Sequence, residues 1–381
     1  MNVFRALCGR PVAGRLEPAN RWLLLLALSV LCFDSVAAAQ DKKEKDKQVD
    51  DKLIQSPADG WPLKLTYYKS IAGKDAPVVI LMHMKGESRL VWSAPLANST
   101  PPKGFAEQLH EKGFAVVSMD LRKHGQSKPG AEDDDPKKAA AAAADKDKAK
   151  KSSTGGELKP TDYVLMVRDM DAIKKFIFEE HQKGNLNMRK TAIIAPGMSA
   201  AIAITFAAGD WAKTPYDDAA TVAMRTPRGQ DVQAMLFLSP ETTLPQVPAH
   251  QIAAQLKNTP MAAWVVVGGS DTQDKDQAKK LFQLLGGDPA KTEAPKKKAE
   301  TKPEPKKATK EKEKESEKGS DKKGEERFFY HEFKGVKLRG TDLLGKNLNI
   351  ETVMIKFLED HVKSLKGPAY EWRDRQSRLN E

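Results

Sequence analysis

Apart from three charge-rich stretches, short apolar runs alternate with helix-period patterns along this chain. Residues 63–68 alternate apolar and polar and predict a half-buried lead-in strand ending near Ser70. Residues 77–83 (Pro-Val-Val-Ile-Leu-Met-His) are apolar almost throughout, as in a central strand covered on both faces. A helix is predicted over 105–111, stopped by Lys112-Gly113, and the next strand over 114–120. Between 161 and 181, Val164, Met166, Val167, Met170, Ile173, Phe176 and Ile177 recur with helical period. Further strands are predicted at 192–195, 234–238, 262–267 and 328–333. A closing helix over 350–364 puts Val353, Met354, Phe357, Leu358 and Val362 on one face. Strands alternating with helices predict an α/β fold with a mostly parallel sheet and helices on both faces. There is no internal repeat.

The N-terminus follows a different pattern. Arg5, Arg10, Arg15 and Arg21 precede an apolar run from Trp22 to Phe33, and Ala37-Ala38-Ala39 offers small residues before Gln40. The run is too short to span a bilayer comfortably. Residues 1–39 therefore read as a signal peptide, and the protein as exported to a periplasmic, cell-envelope or extracellular location. Both cysteines, Cys8 and Cys32, lie within that segment. The remainder would enter an oxidising compartment with neither disulfides nor thiol chemistry.

Charge and composition divide the rest. Residues 40–54 read as a disordered charged tail, and 55–366 as one domain carrying low-complexity insertions at 129–159 and 287–327. Residues 367–381 read as a polar C-terminal tail. Long insertions are tolerated in loops because closure entropy grows only logarithmically with length. From Lys291 to Arg327 there are 14 basic and 10 acidic side chains and no aromatic before the strand. That mixture describes a solvated polyampholyte, so nucleic acid is not an expected partner. The net charge of +11 allows weak contact with anionic surfaces.

Three landmarks, in order and spacing, carry a resemblance to the α/β-hydrolase family over roughly residues 60–366, insertions excepted. Asp120-Leu121-Arg122-Lys123-His124-Gly125-Gln126-Ser127 resembles the family's D-x-R-G-x-G-x-S segment. The strand–turn–helix around Ala195-Pro196-Gly197-Met198-Ser199 resembles its nucleophile elbow. Gly268-Gly269-Ser270-Asp271, after a hydrophobic strand, resembles the loop that carries its acid. The resemblance implies an α/β-hydrolase-like fold and places the oxyanion-side backbone at Met84 and Met198. With only about twenty residues (239–260) where a lid would insert, no sizeable lid domain is expected.

The elbow admits two registers. The string Gly197-Met198-Ser199-Ala200-Ala201 would nominate Ser199. The flanks favour Gly197 at the nucleophile position, because Ser199, Ala200, Ala201 and Ala203 then supply the small residues the following helix needs. This register also ends the strand at Ala195, whereas the other makes Pro196 a strand residue in the sheet interior. Glycine occupies φ > 0 freely, where a residue with a Cβ is strained.

The base is missing as well. The loop from Lys334 to Asn349 contains no histidine, and Thr341 falls at the base's place, where a hydroxyl cannot take a proton near neutral pH. Asp271 remains at the acid position with Asp274 nearby; its bland reading is a loop Asp bonded to backbone amides. His83 ends the oxyanion-side strand, where the family usually has His-Gly and this chain has His83-Met84. No metal or cofactor is expected: Asp133-Asp134-Asp135 is a charge run, and no glycine-rich phosphate cradle occurs.

These residues imply an exported, hydrolase-like pseudo-enzyme that binds a small molecule or a protein partner. Two other readings stand beside it. One is an active esterase or peptidase using Ser199, and the other is a structural cell-envelope protein whose charged tracts matter more than its pocket.

Overall fold

A computed structural model describes residues 48–130, 157–288 and 326–377. The signal segment, most of the 40–54 tail and the bulk of both insertions lie outside these residues. Eight strands form one sheet in the order β1-β2-β4-β3-β5-β6-β7-β8. They are β1 (Val49–Gln55), β2 (Pro62–Tyr68), β3 (Pro77–Leu81), β4 (Ala115–Met119), β5 (Asn187–Pro196), β6 (Val232–Leu238), β7 (Ala262–Gly268) and β8 (Phe328–Phe333). Strand β2 runs antiparallel to β4, and every pairing from β4 through β3, β5, β6 and β7 to β8 is parallel.

The helices are α1 (Phe105–Glu111), α2 (Pro160–Gln182), α3 (Ser199–Trp211), α4 (Thr272–Leu284) and α5 (Ile350–Leu358). The apolar runs are unbroken because both faces of the sheet are covered. Val78, Ile80, Ile193 and Val265 pack with Met166, Met170 and Ile173 of α2 and with α3 and α4. Their neighbours Val79, Leu81, Ile194 and Val266 face the other way, onto Phe105 and Leu109 of α1 and Met354 and Phe357 of α5. Each such side chain, fully withdrawn from water, contributes about 1.5–3 kcal/mol. Helix α2 starts where Pro160 fixes the first turn and the Asp162 carboxylate accepts the Lys159 amide at 2.6 Å.

The segment from Asp120 to Ser127 is a structural knot. The Asp120 carboxylate, fully buried, accepts from the Arg89 amide and guanidinium, each at 2.6 Å, and from the Gln126 amide at 2.9 Å. Arg122 is 1% exposed and forks onto Asp169 of α2 and onto Asp59 before β2. The Ser127 hydroxyl donates to the Asp120 carbonyl and accepts from the Lys64 amide. Charged groups so deeply withdrawn from water are tolerable only because each is paired and hydrogen-bonded.

Four expectations change. Residues 49–55, expected within or bordering a disordered tail, form strand β1 beside β2. Pro196 is the last residue of β5, paired in register with Leu238, so a proline is accepted at the strand's end, where the ladder stops. The C-terminal tail packs on the domain: Trp372 stacks on His181 with ring centroids 5.0 Å apart, and Arg375, 4% exposed, pairs with Asp231 at 2.8 Å. Helix α4 follows Asp271 without having been anticipated, and α5 ends at Leu358 in a wider π turn over Glu359–Lys363.

Gly125 tests the knot. Its φ is +49°, and an added Cβ would lie 2.3 Å from Asp120 Oδ2. Gly125→Ala is expected to cost about 2–4 kcal/mol, from left-handed strain plus overpacking against a buried carboxylate. Urea unfolding of the variant checks this: its midpoint should fall, with the slope unchanged.

Candidate functional site

The turn after β5 is tight and left-handed at one residue. Gly197 has φ +54°, its amide donates to the Leu238 carbonyl at 3.0 Å, and its own carbonyl accepts from the Glu241 amide at 3.0 Å. Those two bonds hold the turn against the end of β6. Ser199 lies two residues on, in the first turn of α3, with no exposed surface. Its hydroxyl donates to the Pro196 carbonyl at 2.7 Å. Met198 is the N-cap residue of α3.

The space above the glycine is filled. A Cβ built on Gly197 would meet Met84 Cγ at 3.1 Å and Sδ at 3.4 Å. A Cβ on Gly340 would meet the same sulfur at 2.1 Å. The Met84 side chain thus lies between the elbow and the loop after β8, and both glycines leave room for it. Gly340 has φ +52° and its amide donates to the Ser239 hydroxyl at 3.1 Å. Ser239 ends β6 with φ +48°, a left-handed non-glycine residue held in place by the groups around the elbow.

Glu87 closes the arrangement and had no motif to announce it. It is 3% exposed; Oε2 accepts from the Met84 amide at 3.1 Å and Oε1 from the Thr341 hydroxyl at 2.5 Å. Thr341 is thus bonded to an acid from the β3 side. The Met84 amide, the expected oxyanion donor, is directed to the same carboxylate.

Asp271 caps α4. Its Oδ1 accepts from the amides of Gln273 at 2.8 Å and Asp274 at 3.1 Å, the bonding of an N-cap residue. Asp274 is 7% exposed and pairs with Arg339 Nε at 2.7 Å, while Arg339 Nη2 donates to Glu241 at 2.7 Å. Burial raises the Asp274 carboxyl against the opposing pull of Arg339. Asp271, Asp274, Glu241 and Arg339 line an open cleft of about 1040 Å³ beside the elbow. Thus Met84, Gly197, Gly340, Thr341 and Glu87 come together, and Asp271 sits across the Arg339 bridge.

The histidines are engaged elsewhere. His83 is fully buried, its Nε2 accepting from the Leu121 amide at 2.9 Å and its Nδ1 donating to the Met84 carbonyl at 2.8 Å. Burial, with His124 at a ring distance of 5.0 Å adding to it, pushes its pKa down to about 3. His124 bonds the Arg122 carbonyl and His181 the Arg373 carbonyl. Among the described residues no group of three metal-binding side chains occurs.

No family model and no curated protein matches the sequence. Among solved structures, the chain is similar to a dienelactone hydrolase from Anabaena variabilis, at 12% identity and TM-score 0.44, over 82% of this chain and 97% of that one. It is similar to the BES protein from Bacillus cereus at 11% identity and TM-score 0.42, over 84% and 97% respectively. A carboxyl esterase from Bacillus coagulans matches at 19% identity and TM-score 0.31, over 55% of this chain and 49% of that one. The strand order, the antiparallel β2 and the left-handed turn after the central strand β5 give this chain the α/β-hydrolase fold.

Two measurements probe this geometry. Gly197→Ala places a Cβ at φ +54° and against Met84, so it is expected to cost on the order of 1–2 kcal/mol; an unchanged melting temperature would place the elbow in the other register. His83 binds its proton less readily when folded, so the unfolded chain takes up more protons between about pH 6.5 and pH 3. Its contribution to stability is present above pH 6.5 and is lost as pH falls through that window. Going from about pH 7 to pH 5 this amounts to about 2 kcal/mol. Denaturation at the two pH values should show that difference shrinking in His83→Gln.

Proposed function

We propose that the protein is an exported α/β-hydrolase-fold protein without hydrolytic activity, one that binds a small molecule or a protein partner. The observation that carries this reading is the environment of Gly197. The turn that would present a nucleophile has no side chain, and Met84 packs where one would project. The loop position of the base holds Thr341, a hydroxyl bonded to Glu87, and no histidine. A serine–histidine mechanism of acyl transfer needs a nucleophile at the turn with an imidazole in hydrogen-bond reach, and the turn at Gly197 carries neither. The open cleft bordered by Glu241, Asp271, Asp274 and Asp276, with Arg339 as its one cation, leaves a mostly acidic surface beside the turn, suited to polar contacts. Export rests on the basic segment, apolar run and small residues that open the chain.

Treating the purified protein with a fluorophosphonate probe tests the reading. The expected result is no covalent label and short-chain ester turnover at background. Labelling that vanishes in Ser199→Ala would overturn it in favour of a serine hydrolase. For that outcome the Ser199 hydroxyl must leave the Pro196 carbonyl and reach solvent.

A further inference from the structure

A second cleft lies at the opposite end of the sheet, beside the N-terminal ends of β5 and β6, with a volume of about 630 Å³. Its walls come from α2, from the segment after α3, from the loop before β6 and from the docked C-terminal segment. Five cationic side chains line it, Lys174, Lys175, Lys213, Arg228 and Arg375, against one acid, Asp171. The volume is that of a small-molecule site. Part of this positive charge is answered within the protein, and part is left at the rim. Lys213 stands 3.8 Å from Asp171, a loose pairing, and Lys175 is exposed. The other acids, Asp210 and Asp231, sit behind the cleft, fully or nearly buried and engaged by Lys174 and Arg375.

Arg375 supplies an independent observation. It is 4% exposed and lines the cleft; its Nη2 donates to Asp231 at 2.8 Å, and its Nη1 has no hydrogen bond among the described residues. A buried guanidinium nitrogen left unpaired is costly. Neighbouring Arg189 is held below its ordinary range, by burial first and then by the charge of Arg375, against the opposing pull of Asp231. The remaining lining is part apolar and part polar, the polar share coming from Gln376 and Ser377. Phe178 and Met188 contribute to the apolar share, and the Arg228 guanidinium lies 5.3 Å from the centre of the Tyr216 ring. Cations beside aromatic faces suit a ligand with an anionic head and a planar body.

We propose that this cleft binds a small phosphate ester carrying an aromatic group. Lys175, Lys213 and Arg228 hold the phosphate, with Arg375 supplying positive charge from the floor, and Tyr216 and Phe178 flank the ring. The inference is independent of the elbow and stands whether or not the elbow is catalytic.

Phenyl phosphate is the probe, titrated into the purified protein by calorimetry beside inorganic phosphate and benzyl alcohol. Phenyl phosphate should bind about tenfold more tightly than either, because head and ring each contribute roughly 1.4 kcal/mol. Lys213→Gln with Arg228→Gln changes two side chains outside the core; it should leave the melting temperature near that of the parent and weaken phenyl phosphate by at least about tenfold. Tyr216→Leu should weaken phenyl phosphate while leaving inorganic phosphate unchanged. Binding that is absent, that is matched by benzyl alcohol, or that persists undiminished in the folded double variant would overturn the proposal. So would adhesion to vesicles containing phosphatidylglycerol without binding of phenyl phosphate, since the basic residues would then serve a membrane surface.

Discussion

The buried carboxylate of Glu87 joins two loops that meet over the elbow. One oxygen takes the Met84 amide at the end of the β3 segment, and the other takes the Thr341 hydroxyl on the loop after β8. With those ends fixed, the Met84 side chain has one place to go, the gap between Gly197 and Gly340. Both glycines hold positive φ, and neither could carry a Cβ without pressing on that thioether. Methionine suits such a gap because its flexible chain and polarizable sulfur conform to irregular space. The site is thus closed by its own residues, and its geometry is self-consistent without a substrate.

The Asp120 to Ser127 knot stabilises the same region from behind. Asp120 holds the Arg89 amide at the start of the short helical segment that follows Glu87, and His83 accepts the Leu121 amide. The loop after β3 is therefore anchored on both sides of Met84, through His83 before it and Arg89 after it. Removing one partner from such a buried network leaves a charge or amide without its bond, which costs far more than the pair contributes when complete. The landmarks of this end of the fold are bonded to one another, so its architecture does not depend on a side chain at Gly197.

How far the sequence could be read follows from the range of the interactions. Strands β3, β4, β6 and β7 are legible because burial on both faces demands nearly unbroken apolar runs, and the half-buried edge strand β8 by its aromatic residues. Gly197 is legible because the helix after a tight turn needs small residues, and Asp271 as a turn-capping acid because its type favours that bonding. Glu87, Met84 packed against Gly340, and Arg339 between Asp274 and Glu241 are not legible, since each depends on residues distant in sequence meeting beyond the C-terminal ends of the strands. The polar C-terminal segment reads as a tail for the same reason. Trp372 finds His181, and Arg375 finds Asp231, only once the sheet exists.

The two ends of the sheet differ in what their charges leave over. At the elbow end Glu87 bonds Met84 and Thr341 and Asp120 bonds Arg89, while the cleft sets Arg339 among Glu241, Asp271, Asp274 and Asp276, an excess of acid. At the other end, Asp210 and Asp231 are engaged by Lys174 and Arg375, while Lys175 and Arg228 remain at the rim of a cleft with one loosely placed acid. An electrostatic imbalance in a concave, partly apolar setting attracts a counter-charge more strongly than the same residues would on an open surface, because the walls exclude part of the screening water. The recognition proposed at that end therefore depends on its own charges and not on whether the elbow is catalytic.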